Sequence, residues 1–315
     1  MFSSNRVTKL LNIRYPVIQG AMAWVADADL AAAVSSGGGL GVIAAGNMPP
    51  EALDRELAKI RTLTDKPFGL NIMLLSPTHS DALELAVRHG VPVVTTGAGM
   101  PGKVIERLAP LGITVIPVIA SVAHAERVKK QGAAAVIAEG MEAGGHIGEI
   151  TTMALTAQVA AAVDIPVIAA GGIADGRGML AAFALGAEGI QMGTRFVCAS
   201  ECNAHGNFKK KIIEANDRST VVTGRTLGHP VRCIKNKFTQ LFAEMEDAHT
   251  EIAELDKFGS GKLRAAVVDG DMEHGSVMSG QIAGLVGKVQ PAAEIILEVV
   301  GEASRLAGVI AGRFE

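Results

Sequence analysis

Aromatic residues are scarce: the 315-residue chain carries nine Phe, one Trp and one Tyr. A binder of single-stranded nucleic acid needs a row of rings for bases to stack on, and that class is excluded. Charge of one sign is lacking too. Twenty-nine Lys and Arg face 32 Asp and Glu, and the net charge of −3 gives no general pull toward nucleic acid or an anionic membrane. Cysteine is limited to Cys198, Cys202 and Cys233. Three thiols make no disulfide framework and fall short of a four-ligand zinc set, so no metal site is expected, and the compartment expected is the reducing cytoplasm. Long apolar runs are missing as well. Residues 108–125 and 30–50 carry no formal charge, but Pro110, Gly112 and Pro117 break the first and SSGGG at 35–39 breaks the second. Neither is a continuous apolar helix of about 20 residues. Residues 1–15 show no apolar core followed by a cleavage site, so secretion is not expected.

What is present is aliphatic. Hydrophobic residues make up 49% of the chain, built from Ala, Val, Ile, Leu and Met, alongside 37 Gly. That content excludes overall disorder and suits parallel strands buried on both faces and joined by Ala-rich helices. Short Val- and Ile-rich runs stand at 16–20, 40–44, 68–73, 91–96, 113–118, 134–139, 166–170 and 189–193, most of them bounded by Gly or Pro. Helical patterns fall between them at 51–61, 81–89, 103–108, 123–131, 152–163 and 178–185. Each interval is long enough for a helical crossover. A doubly wound sheet alternates in the same way, usually with fewer strands; the count favours an α/β fold of the (β/α)8 TIM-barrel type. After Arg195 the texture changes: 208–216 is basic, 241–258 is acidic and helical, and 258–261 reads as a turn. The expected division is a barrel over 1–199, a smaller cap or lid over 200–290, and a C-terminal helix over 291–315 that packs back on the barrel.

Barrel chemistry sits where strands end. The residues there are the GAMAW run at 20–24, Ala45, Gly46 and Asn47, Asn71, the TTGAG run at 95–99, Ala120 and Ser121, Glu139, Gly171 and Gly172, and Gly193 and Thr194. Barrels commonly bind phosphate in the loops after strands seven and eight, which here carry Gly171-Gly172 and Gly193-Thr194, the latter adding a hydroxyl donor. Glycines that merely end strands are the plainer alternative. GAGMPG at 97–102 matches G-x-G-x-x-G, but no acidic residue for a ribose follows about 20 positions later. The densest constellation is EGMEAGGHIG at 139–148, after strand six. Its His146 lies between glycines on a loop of the active face, beside two carboxylates, as a proton-transfer group near neutral pH requires; a surface histidine is the alternative. His79, His89, His124 and His249 read as structural, without partners, and His205 and His229 as cap residues that could face the cleft. Lys209–Lys211 and the Arg232, Lys235, Lys237 group read as solvated faces that could also dock an acidic carrier.

In order along the chain stand PVIQGAMAW at 16–24, DKPFGLNIM at 65–73, AEGMEAGGH at 138–146, IAAGGIADG at 168–176, GTRF at 193–196 and GSVMSGQIAG at 275–284. Together they closely resemble the flavin-dependent enoyl-[acyl-carrier-protein] reductase II family, within the nitronate monooxygenase (2-nitropropane dioxygenase-like) superfamily, over nearly the whole chain. The resemblance implies FMN on the active face under a lid, NADH or NADPH as donor, a stimulating monovalent cation, a homodimer, and acyl carrier protein bearing the enoyl thioester as partner. It implies that Ala21, Met22 and Ala23 lie along the flavin ring, that Asn71 bonds it, and that Glu139 anchors ring or ribityl atoms. Gly171, Gly172, Gly193 and Thr194 would take the phosphate, Met278 and Ser279 would approach from the cap, Gly145 would contact the cofactor, and His146 matches the family's active-site histidine. Ala21 departs from a Gly common among relatives, and it is still small. Nitronate oxidation by FMN and O2 is the alternative activity, and a non-catalytic phosphate-ligand barrel the alternative of another class.

Overall fold

The computed structural model describes residues 2–46 and 48–314; Asn47, one of the strand-end candidates, lies outside the described residues. The strands are Val17–Gln19 (β1), Gly41–Ala44 (β2), Phe68–Met73 (β3), Val93–Gly97 (β4), Thr114–Ile119 (β5), Val136–Glu139 (β6), Gly145–His146 (β7), Val167–Ala170 (β8), Gly189–Met192 (β9), Thr220–Thr223 (β10) and Val231–Ile234 (β11). Eight of them form one parallel sheet in the order β1-β9-β8-β6-β5-β4-β3-β2. Its ends meet where Gln19 donates to the Leu40 carbonyl and Leu40 to the Val17 carbonyl, both at 2.9 Å. This is the expected barrel, and each of the eight runs read from the sequence supplies one of its strands. β2, β8 and β9 are buried at every residue, which is why they read as unbroken apolar runs.

The helices are Arg6–Leu11 (α1), Ala28–Ser36 (α2), Pro50–Leu63 (α3), His79–Arg88 (α4), Gly102–Leu108 (α5), Val122–Lys130 (α6), Thr152–Ala162 (α7), Gly176–Ala184 (α8), Thr194–Val197 (α9), Gly206–Ile213 (α10), Lys237–Asp247 (α11), Ile252–Gly259 (α12), Lys262–Val267 (α13) and Ala292–Ala311 (α14). The outer ring packs by helical spacing: α3 buries Leu53, Leu57 and Ile60 and turns its charges outward. Caps fix where helices start. Asp27 accepts from the Leu30 amide ahead of α2, and Asp175 accepts from the Arg177 and Gly178 amides ahead of α8.

Side chains alternate in and out along each strand. Ile18, Val42, Val93, Ile116, Ile137 and Ile168 fill the interior, and α1 closes its lower end with Val7 and Leu11. The same alternation turns Asn71, Thr95 and Glu139 inward at the upper end, where they form a polar floor.

Between α9 and α14 the chain builds a second layer. β10 and β11 form an antiparallel hairpin, and β7 joins β11 as a third strand, Val231 opposite His146 and Arg232 opposite Gly145. A small aromatic core of Phe238, Phe242 and Leu255 lies beneath, with Phe258 stacked on Phe238 at 5.4 Å. The acidic, helical stretch 241–258 is divided between α11 and α12. The chain breaks at 248–251, where His249 takes φ 54° and the Thr250 amide closes back on the Met245 carbonyl at 3.0 Å. α12 runs through Gly259, so the expected turn is confined to Ser260 and Gly261. α14 packs against α8 and α2. Among the described residues, no helix is long and apolar enough to cross a membrane.

Candidate active site

Two adjoining loops form one side of the barrel mouth. After β8 the chain turns through Gly171 (φ 91°) and Gly172 (φ 69°), a left-handed backbone that costs an L residue about 1–2 kcal/mol. Space excludes a side chain as well, since a Cβ at 171 would sit 2.8 Å from the Gly140 carbonyl oxygen. After β9, Gly193 leads directly into α9. Among the described residues, the amides of Gly172, Ile173, Thr194 and Arg195 donate to no acceptor of the chain. The Thr194 hydroxyl accepts from the Gly280 amide at 2.9 Å, which ties the loop to the strap at 275–284. The hydroxyl of Ser279, 1% exposed, has no partner. Met22 lies alongside, its sulfur 3.5 Å from where a Gly193 Cβ would stand. Unsatisfied amides and a buried hydroxyl make a cradle for an anion such as phosphate.

The other side grows from the loop after β6. The Gly140 amide donates to the Ala170 carbonyl and the Met141 amide to the Ile150 carbonyl, both at 2.9 Å. The Glu142 carboxylate accepts from the Thr152 amide at 2.9 Å and the Thr152 hydroxyl at 2.8 Å. Gly144 lies flat against the strap, where a Cβ would come within 2.6 Å of the Gly280 nitrogen. Arg232, 4% exposed, donates from Nε and Nη2 to the Met141 carbonyl at 3.2 and 3.0 Å. So braced, β7 presents His146 at the rim. Its ring meets that of His229 edge-on, with centroids 5.8 Å apart at 60°. The His146 side chain stays exposed at the rim, yet the chain packed around its ring, and then the nearby His229, hold it below the ordinary histidine value. The Met278 sulfur lies 3.5 Å from where a Gly145 Cβ would be.

The floor between these sides is polar. Asn71 donates to the Thr95 hydroxyl at 2.9 Å, and its carbonyl oxygen has no partner among the described residues. Glu139 has no hydrogen-bond partner among the described residues, and burial pushes its carboxyl up to about 7. Ala21 caps the barrel interior. Met22 and Ala23 enter a tight turn closed by the Val25 and Ala26 amides on the Met22 carbonyl. Trp24 follows, 45% exposed at φ 67°, with Arg264 above its ring at 5.9 Å.

The structure thus brings Met22, Gly171, Gly172, Gly193, Thr194 and Ser279 to one side, Gly145, His146 and Met278 to the other, and Ala21, Asn71 and Glu139 between them, with Ala23 in the adjoining turn. Several sequence readings need correction. Arg232 is no solvated residue but a buried brace, and its signal was a lone Arg inside the apolar strand VRCI. His205 does not face the cleft; its Nδ1 accepts from the Asn207 amide at 3.1 Å and caps α10. His89 has a partner, with Nε2 2.6 Å from Asp54 Oδ1, and His79 Nδ1 lies 2.8 Å from the Ser76 carbonyl. Thr152 and Glu142 as a latch were not read at all. The G-x-G-x-x-G run turns between β4 and α5 on Ala98 (φ 54°) and Gly99 (φ 151°). Among the described residues, no group of three or more His, Cys, Asp or Glu is arranged to hold a metal.

Against known proteins, residues 4–302 match the family model described as nitronate monooxygenase. The chain is 35% identical to a (3aS,4S,5R,7aS)-5-hydroxy-7a-methyl-1-oxo-octahydro-1H-indene-4-carboxyl-CoA dehydrogenase of Mycobacterium tuberculosis, over 94% of this chain and 95% of that protein. It is 34% identical to a probable nitronate monooxygenase of Staphylococcus saprophyticus, over 96% and 98%. Among solved structures, FabK from Thermotoga maritima matches with a TM-score of 0.96 at 50% identity, covering 98% of this chain and 99% of that one. A nitroalkane oxidase from Streptomyces ansochromogenes matches with a TM-score of 0.86 at 29% identity, covering 96% and 99%.

Proposed function

Because the chain belongs to the nitronate monooxygenase family of oxidoreductases, we propose that it is an FMN-dependent enoyl-[acyl-carrier-protein] reductase drawing electrons from NADH or NADPH. The observation that carries this reading is the 50% identity to FabK over nearly the full length of both chains. The geometry supports it, for a phosphate cradle and a rim histidine face each other across a polar floor. The relative from M. tuberculosis, named for a carboxyl-CoA compound, extends the likeness to thioester chemistry.

The residues present fit FMN. Gly171, Gly172, Gly193 and Thr194 would hold its phosphate, with the unpartnered Ser279 hydroxyl as a further donor. Asn71 and Glu139 would meet the polar edge of the ring from below, and Ala21, Met22 and Ala23 would flank it. When bound, the flavin supplies hydride transfer between the nicotinamide and the β carbon of the enoyl thioester. The protein's part is to orient and to move a proton. His146, held at the rim by β7, donates a proton to the substrate α carbon as negative charge develops there. Arg232 holds the loop that carries it. Residues 200–290 serve as the lid, and acyl carrier protein delivers the substrate.

The family model and the staphylococcal relatives favour nitronate monooxygenase as a second reading, with His146 acting on the nitronate. Anaerobic stopped-flow separates the two. Flavin reduced by NADH or NADPH and reoxidised by crotonyl thioester establishes the reductase. Oxidation of an alkyl nitronate without a nicotinamide, together with failure of the thioester to reoxidise the flavin, establishes the other. A colourless protein that binds no FMN overturns both.

A further inference from the structure

His146 has a neighbour that no single segment of sequence reveals. β7 and β11 pair with Val231 opposite His146, and the Ile147 amide donates to the Pro230 carbonyl at 3.0 Å. That pairing fixes His229, two residues before Val231, against the His146 ring at 5.8 Å. The loop bearing His229 is itself pinned. Glu246 of α11 accepts from the Gly224 amide at 2.9 Å, the Thr226 amide at 3.1 Å and the Thr226 hydroxyl at 2.7 Å. Among the described residues neither imidazole has a hydrogen-bond partner, so no carboxylate stabilises either cation.

The charged groups around the pair are otherwise engaged or peripheral. On the His146 loop, Glu142 is held by Thr152, and Glu149 is exposed. On the opposing segments, Arg232 is spread over the Met141 carbonyl and the Thr220 hydroxyl, and Arg225 is exposed. Each imidazole therefore faces the other with no opposite charge bonded to either, and two imidazolium rings at this separation repel.

We propose that His146 and His229 form a coupled pair in which a proton on one ring opposes a proton on the other, with His229 the positioning residue that sets how readily His146 gives its proton up. The inference rests on the reductase reading only for the destination of that proton. In that step the imidazolium N–H bond of His146 breaks, the electron pair of the thioester enolate takes the proton to form the Cα–H bond, and the His146 ring is left neutral. Bulk solvent then returns one proton. This opposition serves the reaction, because a proton on His146 is given up more easily than from an isolated imidazolium.

The test is a histidine Cε1–H NMR titration of the FMN-loaded, oxidised protein with selectively labelled histidine. His146→Gln and His229→Gln assign the two signals. In the wild type each signal should show both steps of a coupled titration. His229→Gln should move the His146 midpoint up by about one pH unit, and His146→Gln should move His229 by the same amount. His229→Lys, with its fixed charge, should move His146 below its wild-type midpoint. A His146 midpoint unchanged in both His229 variants, in protein that keeps its FMN absorbance, overturns the pair. The alkaline limb of kcat for crotonyl thioester should follow the His146 midpoint. If the midpoints move together while that limb stays fixed, the pair stands and the reading of His146 as proton donor falls.

Discussion

The two sides of the site are built in opposite ways. Beside β8 and β9 the chain offers its own amides, set by the backbone of two short loops. Beside β6 it offers side chains gathered from stretches far apart in sequence: His146, His229, Arg232 and Met278. The first side is built mainly on Gly171 and Gly172 in the left-handed region and the adjacency of two neighbouring strands, with Gly280 of the strap bonded to Thr194 across it. The second exists only because a two-residue strand pairs with β11 and a buried guanidinium holds the Met141 carbonyl. The two sides thus rest mainly on different kinds of structure, local backbone in one case and long-range pairing in the other. A side-chain change on the second side should leave the first intact.

The largest expected effect tests that separation directly. His146→Ala should slow enoyl reduction by about 1,000-fold while flavin absorbance and FMN affinity stay at wild-type values; a variant that sheds its flavin breaks the comparison. Next, Gly171→Val forces a branched side chain into a left-handed backbone and against the Gly140 carbonyl. FMN binding should weaken by about 100-fold, read by titrating the apoprotein. Arg232→Met removes both bonds to the Met141 carbonyl and should cost about 2 kcal/mol in denaturant unfolding. Turnover should fall while FMN stays bound. The smallest effect belongs to the floor between the two sides. Burial raises the Glu139 carboxyl from 4.5 to about 7, so the folded apoprotein holds a proton that the unfolded chain has already released in that window. Stability should therefore fall as pH rises from 4.5 to 7, by about 1–2 kcal/mol, since solvent reaches the carboxyl and trims the full linkage value. Glu139→Gln should abolish this contribution to the slope, and unfolding curves across that range would show it.

The barrel was legible because its strands are buried on both faces and punctuated by Gly and Pro, so each of the eight declares itself locally. The cradle was legible for the same reason: it lies where a barrel's last two strands end. What escaped the sequence depends on contacts between distant segments. β7 is two residues long and has no pattern of its own; its partner lies more than 80 positions on. Arg232 looks like any surface charge until Met141 is beneath it. His89 meets Asp54 across 35 positions. The break between α11 and α12 falls at His249, a left-handed residue that is not glycine, with no proline nearby to announce it.

Where the chain leaves the barrel and where it returns, the two segments lie side by side. Ala199 bridges Gln290, the Ser200 amide donates to the Gln290 carbonyl at 3.0 Å, and the Gln290 amide donates to the Cys198 carbonyl at 3.2 Å. Glu201 then accepts from the Ala292 amide at 3.0 Å as α14 begins. The material between hangs from a pinched neck, like a loop of cord drawn through a ring. Such a joint is indifferent to the length of what it encloses. Through it the parts of the upper layer remote from the strap can change length while the barrel keeps its register, and the strap is held because Gly280 is bonded to the cradle at Thr194.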